Sequence, residues 1–152
     1  MSKRDEDKEK FDKLQQQREW MEKYGWVYHY ENFPGENQVA NIHTHGFEEN
    51  YNHMDFQIVL KYHPDLVQGI FNTLYYHVKR GKVYESGKYY SEVVSGYDVL
   101  MQTFEENGRE LLRVILPDEN GLFPQSPNCN PIYKLQTMPL PSYGGNNEGF
   151  VH

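Results

Sequence analysis

Apolar residues recur along the chain with two different periods. Trp26-Val27-Tyr28-His29-Tyr30 is a β-rich run that stops at Asn32-Phe33-Pro34-Gly35, a strong turn signal. Gln38 to His45 and Met54 to Leu60 are two further strand segments, and Tyr97 to Phe104 and Glu110 to Leu116 are two more, joined through Glu105-Glu106-Asn107-Gly108. Between them, His63-Pro64-Asp65 opens a helix: proline suits the first helical position, Asp65 complements the dipole, and Gly81 closes it after Lys79 and Arg80. Its apolar residues Leu66, Ile70, Leu74 and Val78, flanked by Val67, Phe71 and Tyr75, predict a wide buried face. Lys3 to Tyr24 is a second helix with only a loose stripe of Phe11, Leu14 and Met21, so it is expected to be mostly solvated and docked through Trp20, Met21 and Tyr24. Lys82 to Tyr90 reads as an irregular hairpin around Ser86-Gly87, and from Phe123 onward proline, asparagine and glycine dominate.

Short loops between successive strands favour antiparallel pairing, and only the connection through Pro64 to Arg80 is long enough for a parallel crossover. The expected fold is therefore α+β: a single domain with a mainly antiparallel sheet of about five strands, one long helix packed on one face, and an N-terminal helix. The expected organisation is a charged helix over 1–24, the α+β domain over 25–136, and a flexible tail over 137–152. Composition agrees with a sheet. The 152 residues hold one alanine, Ala40, which disfavours a helical bundle, and 13 tyrosines, which should seal the rim of a small core.

Charge narrows the partners. The formal net charge is -7, and Met1 to Tyr24 holds seven basic and seven acidic residues, so the whole imbalance belongs to the body of the protein. A body of that sign repels phosphate backbones, and no nucleic-acid partner is expected. The cluster Lys79, Arg80, Lys82 and Lys88 reads first as cations complementing a helix C-terminus. No apolar h-region opens the chain and no window approaches the apolar length of a membrane span, so a soluble cytoplasmic protein without a membrane partner is expected. Cys129 stands alone in a loop-like setting without a cationic neighbourhood and is read as incidental.

The segment with chemical content is Asn41-Ile42-His43-Thr44-His45-Gly46, followed by His53-Met54-Asp55. Residues two apart on a strand share a face, so His43 and His45 project side by side, roughly 7 Å apart. If Ala40 and Ile42 share the core face with Phe56, Ile58 and Leu60, opposed residue numbers must have an even sum. A sum such as 98 would set His43 opposite Asp55 and His45 opposite His53. This predicts a polar cluster of His43, His45, His53, Asp55 and Gln57 on the face away from the helix. The plainest account of such a cluster is the ordinary polar outer face of an antiparallel sheet. The alternatives are a divalent metal site using His43, His45, His53 and Asp55, and a contact surface for a partner. An H-x-H pattern lacks the helical context that makes zinc motifs specific.

Arg113 interrupts the apolar run Leu111 to Leu116, and a buried guanidinium there needs an anion; Asp118 or Asp55 is the expected partner, with structural pairing favoured over ligand binding. No phosphate-cradling glycine loop, no nucleophile elbow and no cysteine pair is present in the sequence.

Taken with Tyr24-Gly25-Trp26-Val27, with Leu116-Pro117-Asp118 through Gly121 and with Phe123-Pro124, the segments Asn41 to Phe47 and His53 to Asp55 resemble the bacterial family DUF4262, a domain of unknown function, over about Tyr24 to Gln136. The resemblance implies a compact α+β domain and no established activity. His45 stands where that family is apolar, so a paired-histidine site would not be a trait of the whole family. The residues that coincide with the resembling motifs, His43, Thr44, His53, Asp55, Arg113 and Asp118, are the candidates for any site, with His43, Asp55 and Arg113 as catalytic candidates and Thr44, His53 and Asp118 as binding candidates. The first reading is a binding or interaction domain for a protein or small ligand, with self-association as a homodimer through the polar face or the aromatic edge as one form of it. No cofactor is expected beyond a divalent metal at the histidines. The alternative is a metal-dependent, hydrolase-like enzyme built on His43, His45, His53 and Asp55.

Overall fold

The computed structural model describes residues 2–141, so most of the expected tail, 142–152, lies outside the described residues. In chain order the elements are α1 (Lys3–Tyr24), β1 (Val27–Asn32), β2 (Val39–His45), α2 (Phe47–Tyr51), β3 (Phe56–Leu60), α3 (Pro64–Lys79), β4 (Tyr89–Val94), β5 (Tyr97–Glu106), β6 (Arg109–Ile115), α4 (Pro131–Lys134) and a 3-10 turn (Leu135–Thr137). The six strands form one sheet in the order β1-β2-β3-β6-β5-β4. Four neighbouring pairs are antiparallel, and the central pair, β3 with β6, is parallel. No helix among the described residues is long and apolar enough to cross a membrane.

The helix that the apolar period predicts is α3. His63 caps its N-terminus by accepting from the Asp65 N–H, and Pro64 occupies its first turn. Val67, Ile70, Phe71, Leu74 and Val78 are buried against Ala40, Ile42, Phe56, Ile58, Leu112 and Val114. The buried stripe is rotated from the expected one: Leu66 is exposed, because Val67 and Phe71 lead the face toward the sheet. Tyr84 and Tyr90 close the rim, with the Tyr84 hydroxyl bonded to His77 Nδ1 and the Tyr90 hydroxyl accepting from the Glu85 N–H. Helix α1 has no buried residue, in line with its thin stripe.

One strand more than expected is present. The extra strand, β4, buries Tyr90 and Val93, three residues apart, so its pairing with β5 is irregular and its side chains do not alternate in the way that betrays a strand. The second sheet face also differs from expectation, because the chain after Asn130 folds back over it. Gln136 there donates to the Leu116 carbonyl and accepts from the Leu116 N–H, which buries it completely. This cover explains why β6 is apolar on both sides and why a parallel pair sits at the centre. It reaches only part of the face. Beyond it, β1, β2 and the tip of the β5–β6 hairpin surround an uncovered polar cleft.

Candidate metal centre

The cleft is built by three local features. Register comes first: His29 on β1 lies directly opposite His43 on β2, with His45 two residues along on the same face. The second is Gly46, which ends β2 at φ 114°; a Cβ there would stand 2.2 Å from the Gly25 carbonyl oxygen, so only glycine lets α2 start at that point. The third is the two-residue turn Asn107-Gly108, with φ of 54° and 76°, the positive pair that a type I′ hairpin needs. It brings Glu106, Asn107 and Arg109 over the histidines.

The resulting cleft of about 230 Å³ is lined by His29, Glu31, Asn41, His43, His45, Glu106, Asn107, Arg109 and Leu111. Its three imidazoles are close. Ring centroids lie 5.4 Å apart for His29 and His43, 4.5 Å for His29 and His45, and 4.9 Å for His43 and His45. One nitrogen from each falls within 4.8 Å of the others, the one such grouping of potential metal ligands among the described residues.

The tautomer of His43 follows from a chain of hydrogen bonds whose direction is set at its far end. Arg113 is a pure donor, and its Nε gives a proton to Gln57 Oε1 at 2.8 Å. The other end of the Gln57 amide must then be its NH₂, which donates to Asn41 Oδ1 at 2.9 Å. That oxygen also lies 2.9 Å from His43 Nδ1, so Nδ1 carries the proton and donates. His43 Nε2 therefore offers a lone pair, 3.8 Å from Glu31 Oε1. This is the arrangement in which the second nitrogen of a metal-ligating histidine is tied to an oxygen behind it. Burial, followed by the neighbouring His45, His29 and Arg109, pushes the His43 pKa down to about 3, so the ring is neutral and the approach to Glu31 is not an ion pair. Burial likewise lowers the His45 pKa and raises that of Glu31.

The residues expected to join His43 and His45 stand elsewhere. His43 pairs with Gln57, not with Asp55, because the β2–β3 register at Ile42 and His43 is shifted by two residues from the expected one; parity is kept there, so the histidines still face away from α3, and it changes only across an irregularity between Val39 and Ile42. His53 is buried with both nitrogens engaged: Nδ1 donates to the Met54 carbonyl at 2.7 Å, Nε2 accepts from the Tyr84 N–H at 2.9 Å, and the ring stacks on Phe56. Asp55, fully buried, accepts from the Thr44 hydroxyl at 2.7 Å and from the Phe47 N–H at 3.1 Å, and forms an ion pair with Arg109 Nη2 at 2.9 Å. Thr44 Oγ1 accepts in turn from the Phe56 N–H. Asp55 and Thr44 thus anchor the start of α2 and hold Arg109 from behind.

Arg113 is fully buried, stacked over Phe104 with its charge centre 3.7 Å from the ring centroid. Its ionic partner is Glu106 at 2.9 Å, in place of Asp118 or Asp55, and Nη1 donates to the Gln136 carbonyl at 2.7 Å. Burial draws its pKa down to about 10 while Glu106 opposes the shift, so it stays charged. Asp118 accepts from the N–H groups of Asn130, Leu122 and Asn120, which hold its pKa low, and it organises the loop after β6. Cys129 is buried and its thiol pKa is raised, so it is an inert thiol.

Sequence reasoning missed His29. Its signal was the loop after β1: only the pairing across that turn places position 29 opposite position 43. A larger concavity, about 530 Å³, lies on the α3 side among Trp20, Tyr24, Trp26, Tyr28, Tyr75 and Tyr76. It is walled by rings and holds no grouping of ligating side chains, so the chemistry of the described residues is concentrated in the smaller cleft.

Residues 20–130 match the family model described as "Domain of unknown function (DUF4262)", which spans β1 to β6 and all three histidines of the cleft. The chain belongs to DUF4262. Neither a curated protein nor a solved structure matches it. Membership in DUF4262 carries no assigned activity, and the part of the fold that covers Arg113, from Pro131 to Thr137, lies beyond the matched residues.

Proposed function

We propose that this DUF4262 protein is a binding domain whose ligand is a divalent transition-metal ion, zinc foremost, held by His29, His43 and His45. The observation that carries the reading is the trio of imidazoles with one nitrogen each within 4.8 Å, together with the tether of His43 Nδ1 to Asn41, which leaves Nε2 of that ring as a lone pair. Neutral imidazoles are the common ligands of zinc, and three of them leave a fourth position open. Ligand nitrogens about 2.0–2.1 Å from zinc stand roughly 3.3 Å from one another, so small side-chain rotations close the trio on an ion. Glu31 favours a hydrolytic extension: its carboxylate stands 3.8 Å from His43 Nε2, where it would accept a proton from a water on a bound metal.

Protein purified without an affinity tag and equilibrated with zinc should hold about one ion per chain, and an excess of a hundredfold over Kd should stabilise it by about 2.7 kcal/mol. His29→Ala or His43→Ala should remove the effect and His53→Ala should keep it. Metal content below about a tenth of an ion per chain, with an unchanged Tm on adding zinc or chelator, would overturn the proposal.

A further inference from the structure

The cleft holds more than metal ligands. Arg109 enters it from the hairpin tip with its guanidinium anchored at Nη2, which donates to the Thr44 carbonyl at 2.9 Å and forms an ion pair with Asp55 Oδ2 at 2.9 Å. Arg109 lines the cleft with its side chain about 28% exposed, and Nη1 and Nε carry further N–H donors besides the anchored Nη2. Arg109 therefore does not close the cleft; it lines it as an anchored cation that keeps single N–H donors beyond Nη2.

Charge counting gives the sign of the missing component. Asp55 balances Arg109 from behind, and Glu106 balances Arg113. Glu31 contributes one negative charge beside the histidines. A divalent ion on three neutral imidazoles would then leave the cleft with one uncompensated positive charge. Size and wall chemistry restrict the counter-charge. About 230 Å³ is below the usual range of roughly 300–1,000 Å³ for drug-sized ligands, and Leu111 supplies one apolar wall beside the polar ones.

On the metal reading above, we propose that the open face of the centre takes a small aliphatic monocarboxylate of a few carbons, one carboxylate oxygen on the ion, the other on Arg109, and the short tail against Leu111. The guanidinium can give one N–H to a carboxylate oxygen while Nη2 keeps its anchor, whereas a lysine in the same place would have to share a single nitrogen among Asp55, Thr44 and the ligand. A tetrahedral oxyanion such as phosphate carries more charge than the cleft leaves uncompensated and has no tail for Leu111.

The test titrates the full chain, with and without cobalt(II) or zinc, with propionate and separately with inorganic phosphate, following the cobalt absorption and the heat of binding. Expected results are propionate binding only to the metal-loaded protein, and affinity for propionate at least about tenfold above that for phosphate. Arg109→Lys, which keeps a cation against Asp55, should weaken propionate by about tenfold while metal affinity holds. Asn107→Asp, at a left-handed position aspartate tolerates, should weaken it by repulsion without touching Asp55. Metal uptake without a propionate response, a response unchanged in both variants, or tighter phosphate would overturn the carboxylate assignment alone. Failure to take up metal at all would overturn the metal reading and this one with it.

Discussion

His43 and His53 are both about 93% buried and are both neutral by burial, yet their neighbourhoods make opposite use of the ring. Around His53 the structure consumes both nitrogens, one as donor to Met54 and one as acceptor from Tyr84, and stacks the ring on Phe56. Around His43 it consumes one nitrogen and leaves the other facing a cleft with two more imidazoles in reach. Burial and depressed basicity are therefore shared by a packing histidine, His53, and the histidine we propose as a ligand, His43. What separates them is the second nitrogen, and that depends on which backbone groups each ring meets.

The sharpest way to test the division is at Asp55, which belongs to the packing side although it touches Arg109. Asp55→Ala leaves the Arg109 charge, the Thr44 hydroxyl and the Phe47 N–H without their acceptor, and should cost about 3–5 kcal/mol in urea unfolding. A cost under about 1 kcal/mol would mean Asp55 is a site residue held for function, not an anchor. At the next level, His43→Ala should lower zinc affinity by about a hundredfold or more, whereas His53→Ala should leave it unchanged and instead cost roughly 1–3 kcal/mol of stability through the orphaned Tyr84 N–H. Equal effects of the two variants on zinc would erase the distinction.

Asn41→Ala releases His43 Nδ1 and should weaken zinc by about 10–100-fold without removing a ligand. Acid gives the smallest contrast, because both histidines respond with the same sign. Each has a folded-state pKa below its ordinary value, so as pH falls the unfolded chain takes up the proton first and stability declines. For His43 the loss starts near 6.5 and is complete near its folded value of about 3, with a slope up to about 1.4 kcal/mol per pH unit. Zinc should steepen the acid limb in the wild type and leave His43→Ala unaffected, as read from unfolding midpoints between pH 7 and 4.

Much of this architecture is legible along the chain. Pro64, Asp65 and Gly81 bracket α3, the even parity of the β2–β3 pairing follows from Ala40, Ile42 and Ile58, and the Asn-Gly turn announces the hairpin that carries Arg109. Those features rest on backbone preferences and on periods of two and 3.6, which are local. His43 and His45 are on one face for the same reason. The actual offset between β2 and β3 was not legible, because hydrophobic matching fixes a register only modulo two and α2, an unsignalled five-residue helix, consumes part of the intervening chain.

Sequence alone thus determined a compact α+β chain with an acidic body, a helix on one sheet face and two histidines pointing off the other. Tertiary structure decided the rest. It chose His29 as the third imidazole, gave Asp55 to α2 and Arg109, and paired Arg113 with Glu106 under a C-terminal segment that composition marked only as loop. The physical reason is common to all three: a polar side chain's role is set by which groups must be satisfied where water is excluded, and those groups come from strands and loops far apart in the chain.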